Sequence, residues 1–166
     1  MEEKSLVLVD GTIGVGKSTF GRELALRFEG SFFDGDAYKT KGKPWYCSSL
    51  QTCRALLRAS TYELKTKPFV FIARPVRCLD WLYFRTHFEQ NGVTLYLIGL
   101  QATFENITNK NRGRSFSQSE CLRMVEMIKE GYGARSFSDF HMRTDQRNIE
   151  ETSAKLEAHL KRMTKV

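Results

Sequence analysis

Val9-Asp10-Gly11-Thr12-Ile13-Gly14-Val15-Gly16-Lys17-Ser18-Thr19-Phe20 is the stretch on which the fold of this chain turns. Within it, Gly11 to Ser18 match the pattern G-x-x-x-x-G-K-[ST]. The preceding Leu6-Val7-Leu8-Val9 is a short block of branched aliphatics, as in a strand buried on both faces. The following segment, from Lys17 to Phe28, sets Phe20, Leu24 and Phe28 four residues apart, the spacing of one helix face. A glycine-rich turn between a strand and a helix is the setting that gives this pattern its meaning. Glycines let the backbone curl around phosphate groups and aim its amides inward, where a side chain would obstruct them. The helix N-terminus adds partial positive charge at the same point. Lys17 supplies a point charge for the β- and γ-phosphates, and the Ser18 hydroxyl a ligand for Mg²⁺. At ordinary residue frequencies a chain of 166 residues produces the pattern by chance about 0.6% of the time. Gly11 through Thr19 therefore form the candidate site for a nucleoside triphosphate, against the competing reading of a glycine turn with an incidental lysine.

Outward from this motif the chain alternates between strand and helix patterns. Gly30 stands where a helix C-cap belongs, and Ser31-Phe32-Phe33 is a short strand ending in Asp34-Gly35-Asp36. Lys39 to Trp45, punctuated by glycine and proline, reads as a loop, and helical sequence resumes from Ser48 to Lys65. Phe69-Val70-Phe71-Ile72-Ala73 is a third strand that breaks at Arg74-Pro75. An aromatic-rich helix from Val76 to Gln90 stops at Asn91-Gly92, and Val93 to Leu100 is the fourth strand. A short helix from Phe104 to Asn109 leads to the basic loop Lys110-Asn111-Arg112-Gly113-Arg114. Ser117-x-x-Glu120 is a capping box for a helix reaching Lys129. Asp139 to Arg143 is a weaker strand, and Asn148 caps a last helix carrying Ile149, Leu156, Leu160 and Met163. Strands apolar on both faces, alternating with helices, predict an α/β fold with a parallel sheet covered on both sides. The length predicts one domain over 1–166. Ligands in such sheets bind at the carboxyl ends of the strands. Here those ends hold Gly11–Ser18, Asp34 and Asp36, Arg74, and Arg143 with Asp145.

Charge narrows the partners. Lys and Arg number 26 against 19 Asp and Glu, a net charge of +7. No acidic residue occurs from Ala37 to Tyr62, a stretch that holds Lys39, Lys41, Lys43, Arg54 and Arg58. Such a field attracts phosphates, nucleic acid or another anion. Lys39, and Arg74 at the end of the third strand, are candidates to hold an anionic acceptor, and Trp45 and Tyr46 to stack on it. No apolar run approaches the ~20 residues of a membrane span, and Met1-Glu2-Glu3-Lys4 is no secretory signal, so the expectation is a cytoplasmic protein. The four cysteines form neither a C-x-x-C pair nor zinc spacing with the three histidines, which predicts reduced, buried thiols.

Val9-Asp10-Gly11 through Thr19, the Asp34-Gly35-Asp36 strand end, Arg112 with Arg114, and Thr144-Asp145-x-x-Asn148-Ile149-Glu150-Glu151-Thr152 together resemble the small P-loop kinases. In layout the chain is most similar to shikimate kinase, gluconate kinase and adenylyl-sulfate kinase, within the nucleoside monophosphate kinase-like group. The resemblance implies a three-layer fold with a five-stranded parallel sheet of order 2-3-1-4-5. It implies ATP and Mg²⁺ as cofactors, Asp34 as the aspartate that holds Mg²⁺ through water, and Asp36 as the one that orients and deprotonates the acceptor hydroxyl. Arg112 and Arg114 would belong to a lid at 111–117 that closes over the phosphates, and Thr144, Asp145 and Gln146 would lie along the adenine edge. The implied activity is transfer of the γ-phosphate of Mg-ATP to a hydroxyl of a small, anionic metabolite.

Other users of the same phosphate motif fit less well. The D-x-x-G of a GTPase is absent, and Asn109-Lys110-Asn111-Arg112 lacks the aspartate of N-K-x-D. The third strand ends without an acidic residue, no glycine triplet follows it, and Ala37-Tyr38-Lys39 rather than a histidine comes soon after Asp36, all departures from the kinases resembled. Two alternatives stay open: a nucleoside or nucleotide kinase, and a nucleotide-binding switch or nucleic-acid-associated module that uses the +7 charge.

Overall fold

The computed structural model describes residues 4–164, and the side chains of all of these except 45–47. Trp45 and Tyr46, the candidate stacking residues, and Cys47 thus lie outside the described side chains.

Five parallel strands, β1 (Lys4–Asp10), β2 (Ser31–Asp34), β3 (Phe69–Ala73), β4 (Val93–Gln101) and β5 (Phe140–Arg143), form one sheet in the order β2-β3-β1-β4-β5. Among the described residues six helices connect and cover them: α1 (Lys17–Arg27), α2 (Trp45–Glu63), α3 (Cys78–Glu89), α4 (Phe104–Thr108), α5 (Gln118–Lys129) and α6 (Ile149–Thr164). Side chains alternate across a strand, so an all-apolar strand feeds two cores at once. On one face Val7, Val9, Phe71 and Ile98 pack with Phe20 and Leu24 of α1 and Leu156 and Leu160 of α6. On the other, Leu6, Leu8, Ile72 and Leu97 pack with Leu56 of α2 and Phe84 and Phe88 of α3. Each fully buried leucine or phenylalanine contributes roughly 1.5–3 kcal/mol through the apolar surface it removes from water. The central strand β1 pairs with β3 on one side and β4 on the other, which carries its end, and the turn after it, into the middle of the sheet edge.

Several local expectations are corrected. Gly30 is not the left-handed cap of α1: Glu29 takes that conformation, with φ of 50°. Gly30 is needed because a Cβ there would lie 2.6 Å from the Phe69 carbonyl oxygen of β3. The segment after Asp34 is a 3₁₀ turn, Gly35–Tyr38, and α2 starts at Trp45 rather than Ser48. Pro44, with φ of −53°, is already set for a helix entry. A 3₁₀ turn also occupies Lys110–Arg112, part of the stretch read as loop. Uniformly buried thiols are not found: Cys53 is buried, Cys121 half-buried and Cys78 exposed, all three free. Among the described residues no helix is long and apolar enough to cross a membrane.

Candidate active site

A cavity of about 1040 Å³ opens at the carboxyl ends of the strands and is floored by Ile13 to Ser18 of the phosphate loop. Gly14 and Gly16 of that loop have φ of 74° and 110°, which L side chains rarely adopt. Two threonines brace it from behind: the Thr144 hydroxyl donates to the Val15 carbonyl at 2.9 Å, and the Thr12 hydroxyl to the Met124 carbonyl at 3.4 Å. The Lys17 ammonium donates to the Thr12 carbonyl at 2.7 Å, inside the curl. Loss of hydration there pushes Lys17 down to about 8, against the opposing pull of the Asp10, Asp36 and Asp34 carboxylates.

The end of β2 meets the first turn of α1 at this point. The Ser18 hydroxyl donates to Oδ2 of Asp34 at 2.7 Å, while Oδ1 of Asp34 accepts the Asp36 amide at 3.0 Å. The two residues named for Mg²⁺ are therefore in contact across 16 positions of sequence. A hydroxyl and a carboxylate side by side, beside amides aimed at phosphate, are the oxygen donors Mg²⁺ takes directly or through water. Asp36, two residues on, is 68% exposed in its side chain and pairs with Lys39 at 2.5 Å, so both candidates for the acceptor stand at the same rim.

Arg74 lines the cavity but is only 6% exposed. It donates to Ser49 Oγ at 3.2 Å and Cys53 Sγ at 3.1 Å, and approaches Asp80 at 3.5 Å. Asp80 is held more closely by Arg77, with bonds of 3.0 and 2.9 Å. Burial alone would raise the Asp80 carboxyl, but the hydrogen bonds from Arg77 and the charge of Arg74 outweigh it and hold it below its ordinary value. Burial also pushes the Cys53 thiol up to about 11, so it sits there as a neutral neighbour. Arg74 is thus a buried guanidinium sharing one carboxylate with a second arginine.

Asp145 borders the cavity, yet its carboxylate is occupied. It takes two bonds from Arg143, at 2.9 and 2.7 Å, one from the Thr103 amide at 2.9 Å and one from Asn106 at 3.0 Å. These partners, Arg143 foremost, hold it far below the usual carboxylate range. Its geometry ties the loop after β5 to the start of α4. Arg112 and Arg114 both line the cavity, with Arg114 bonded to Glu120 at 3.1 Å.

Three features went unassigned in the sequence. Asp10, fully buried, accepts the Val76 and Gly133 amides, each at 2.7 Å. Burial raises its carboxyl above the ordinary value, opposed by those amides and by Arg135. Asp80 carries the network around Arg74; its place three residues after Arg77, at the start of a helix, was the one local signal for it. Phe116 packs on the phosphate loop, and no spacing in the sequence points to that contact.

No protein-family model and no curated protein matches the sequence. Crystal structures of several kinases do share its shape. A gluconokinase from Sinorhizobium meliloti 1021 is similar over 99% of this chain and 95% of its own, with a TM-score of 0.71 and 17% identity. The APS kinase of Mycobacterium tuberculosis, in complex with AMPPNP and APS, is similar over 97% and 99%, with a TM-score of 0.65 and 12% identity. A shikimate kinase from Bacteroides thetaiotaomicron is similar over 95% and 98%, with a TM-score of 0.58 and 17% identity. At these identities the likeness is one of architecture: this chain has the three-layer α/β fold, with its β2-β3-β1-β4-β5 parallel sheet, of the P-loop small-molecule kinases.

Proposed function

We propose that the chain is an ATP-dependent phosphotransferase of the cytoplasm, moving the γ-phosphate of Mg-ATP to a hydroxyl of a small, anionic metabolite. The observation that carries this is the 2.7 Å contact of Ser18 with Asp34 beside the Lys17 ammonium, with Asp36 exposed to the same cavity. Amides of Gly11 to Thr19 cradle the triphosphate, and Lys17 sets its charge against the β- and γ-phosphates. Ser18 and Asp34 would hold Mg²⁺, which when bound would neutralise charge on the β- and γ-phosphate oxygens as the γ-phosphorus–bridging oxygen bond breaks. Asp36 accepts the proton of the acceptor hydroxyl as its oxygen bonds to the γ-phosphorus and ADP departs. Arg112 and Arg114 offer lid charges to the transferring group. Lys39 at the rim favours an acceptor bearing an anionic group, with Arg74, already held by Asp80, adding positive charge from the cavity wall, and Asp145 shapes the loop along the nucleobase.

An ADP-release screen against sugar acids, shikimate-like alcohols, nucleosides and nucleotides tests this. ADP formed one-for-one with a phosphorylated acceptor is the expected result, and the productive arm names the acceptor. Nucleotide retained without turnover in every arm, together with nucleic-acid binding that falls steeply with salt, would overturn the proposal in favour of a binding module.

A further inference from the structure

The motif G-x-x-x-x-G-K-[ST] asks for glycine at positions 11 and 16 and leaves position 14 free. Position 14 is nonetheless glycine: its left-handed φ of 74° favours one, and the space around it adds a second reason. A Cβ there would lie 2.6 Å from Cζ and 3.0 Å from Cε1 of Phe116, and 2.8 Å from Cγ2 of Ile107. The ring that crowds the phosphate loop belongs to the 111–117 segment. From Asn111 to Ser119 every residue but Phe116 is exposed; Phe116 is half-buried against the core on the α1 face of the sheet.

The rest of the segment is arranged around that ring. The Arg114 guanidinium lies 4.7 Å from its centroid and bonds to Glu120 at 3.1 Å. Glu120 in turn accepts the Ser117 amide at 2.8 Å in the capping box of α5. Contacts therefore run without a break from Gly14 through Phe116 and Arg114 to the first turn of α5. On the other side Gly113 turns with φ of 71° and has nothing within 4 Å of a Cβ position, the open space a hinge needs. Beyond it Arg112 lines the cavity and makes no ion pair among the described residues.

We infer that Phe116, seated on Gly14, is the latch that holds the 111–117 lid closed over the nucleotide and sets Arg112 above the phosphates. Phe116 is a positioning residue in this arrangement, acting through the lid. A single half-buried ring is a weak fastening, which suits a segment that must open for each substrate. The role given to Arg112 rests on the phosphotransferase reading; the Phe116–Gly14 seat does not.

The test follows amide exchange of 111–117 in the full chain, with and without AMPPNP and Mg²⁺, alongside calorimetric affinity for AMPPNP. In Phe116→Ala, exchange of the segment without nucleotide should rise by about tenfold, as the closed population falls. Where nucleotide binds the closed form, apparent affinity falls in proportion to the closed fraction lost, and so by less than the exchange rises while the closed form predominates. Phe116→Leu should recover most of both effects, which a role outside the latch would not predict. Gly14→Ala should open the lid as well, and adding Phe116→Ala to it should cost less than in the wild type, because the new methyl no longer meets a ring. Wild-type exchange in folded Phe116→Ala, or fully multiplicative effects in the double variant, would overturn the latch. A wild type that fails to bind AMPPNP while Phe116→Ala still frees the segment would instead remove the phosphotransferase reading and leave the latch standing.

Discussion

Asp10 and Gly133 are joined by a 2.7 Å hydrogen bond that spans 123 positions of sequence, from the end of β1 to the turn after α5. The other Asp10 oxygen accepts the Val76 amide, so one buried carboxylate fastens three segments directly behind the phosphate loop. Gly133 has to be glycine, since a Cβ would come within 2.1 Å of the Leu100 carbonyl oxygen. Asp10→Asn keeps the shape but turns one acceptor into a donor facing an amide N–H. One buried amide then loses its partner, and the expected cost is about 1–3 kcal/mol. Urea unfolding of the two proteins measures it, and equal midpoints would show that the bridge is dispensable.

Lys17 makes nucleotide binding sensitive to pH. Its ammonium, pushed down to about 8 in the free protein, is favoured by bound phosphates, so binding takes up a proton as pH passes that value. Affinity for an ATP analogue should hold below about 8 and fall above it, by up to tenfold per pH unit. Lys17→Ala should bind weakly at every pH with no such slope. In the free protein the sign for stability is opposite. Between about 8 and 10.5 the unfolded chain keeps the proton that folded Lys17 has lost, so Lys17 adds stability as pH rises there. Calorimetry in two buffers of different ionisation enthalpy detects the proton.

Ser18 and Asp34 should act on Mg²⁺ dependence before they act on nucleotide affinity. Ser18→Ala and Asp34→Asn each remove one partner of the 2.7 Å contact. The Mg²⁺ concentration for half-maximal turnover should rise by about 10–100-fold in Asp34→Asn. An unchanged Mg²⁺ titration in both variants would leave their contact purely structural.

Asp36 should govern transfer. Asp36→Asn preserves the 3₁₀ turn but cannot take a proton, so turnover should drop by about 10²–10⁴-fold while AMPPNP binding stays within about twofold. Near-normal turnover on an identified acceptor would make Asp36 a turn residue only. Lys39→Ala, which frees the same carboxylate from its pair, should alter KM for the acceptor more than kcat.

Asp145 contributes stability with the usual sign of a paired carboxylate. Its folded value lies far below the 3.8 of the unfolded chain, so its contribution is present above that pH and lost as pH falls toward the folded value. Asp145→Asn should lower the melting temperature at neutral pH, and the two melting curves should converge as the solution is acidified below about 3.8. A gap independent of pH would point to packing of the loop instead.

Whatever depends on neighbours in sequence was legible before the fold was known. Phe69–Ala73 stands between Pro68 and Arg74-Pro75, and the strand has those limits. The Ser117–Glu120 capping box opens α5 as its spacing requires, and Gly92 turns left-handed after α3 as a helix-ending glycine does. The phosphate loop followed from glycine freedom, a strand before it and a helix after it, all within about twenty residues. Even Asp34 and Asp36 could be named, because strand ends in a parallel sheet share one edge.

Contacts between distant residues were decided only by the sheet order. Arg74 looked free to take an anion, but β3 beside β1 brings it against α2 and α3, where Ser49, Cys53 and Asp80 already surround it. Asp145 was placed along the nucleobase edge by its position after β5; that its carboxylate also accepts from Thr103 and Asn106 came only with the fold. Gly30 read as a helix cap, yet the approach of β3 accounts for it; Gly14 turns left-handed as a phosphate-loop glycine does, and the lid phenylalanine that also crowds it came only with the fold. Periodicity and turn chemistry act over a few residues and specify elements, so the sequence by itself determined strands, helices and the phosphate loop. Which charges are left unpaired at the cavity depends on which elements become neighbours, and that only the packed sheet and its two helix layers decided.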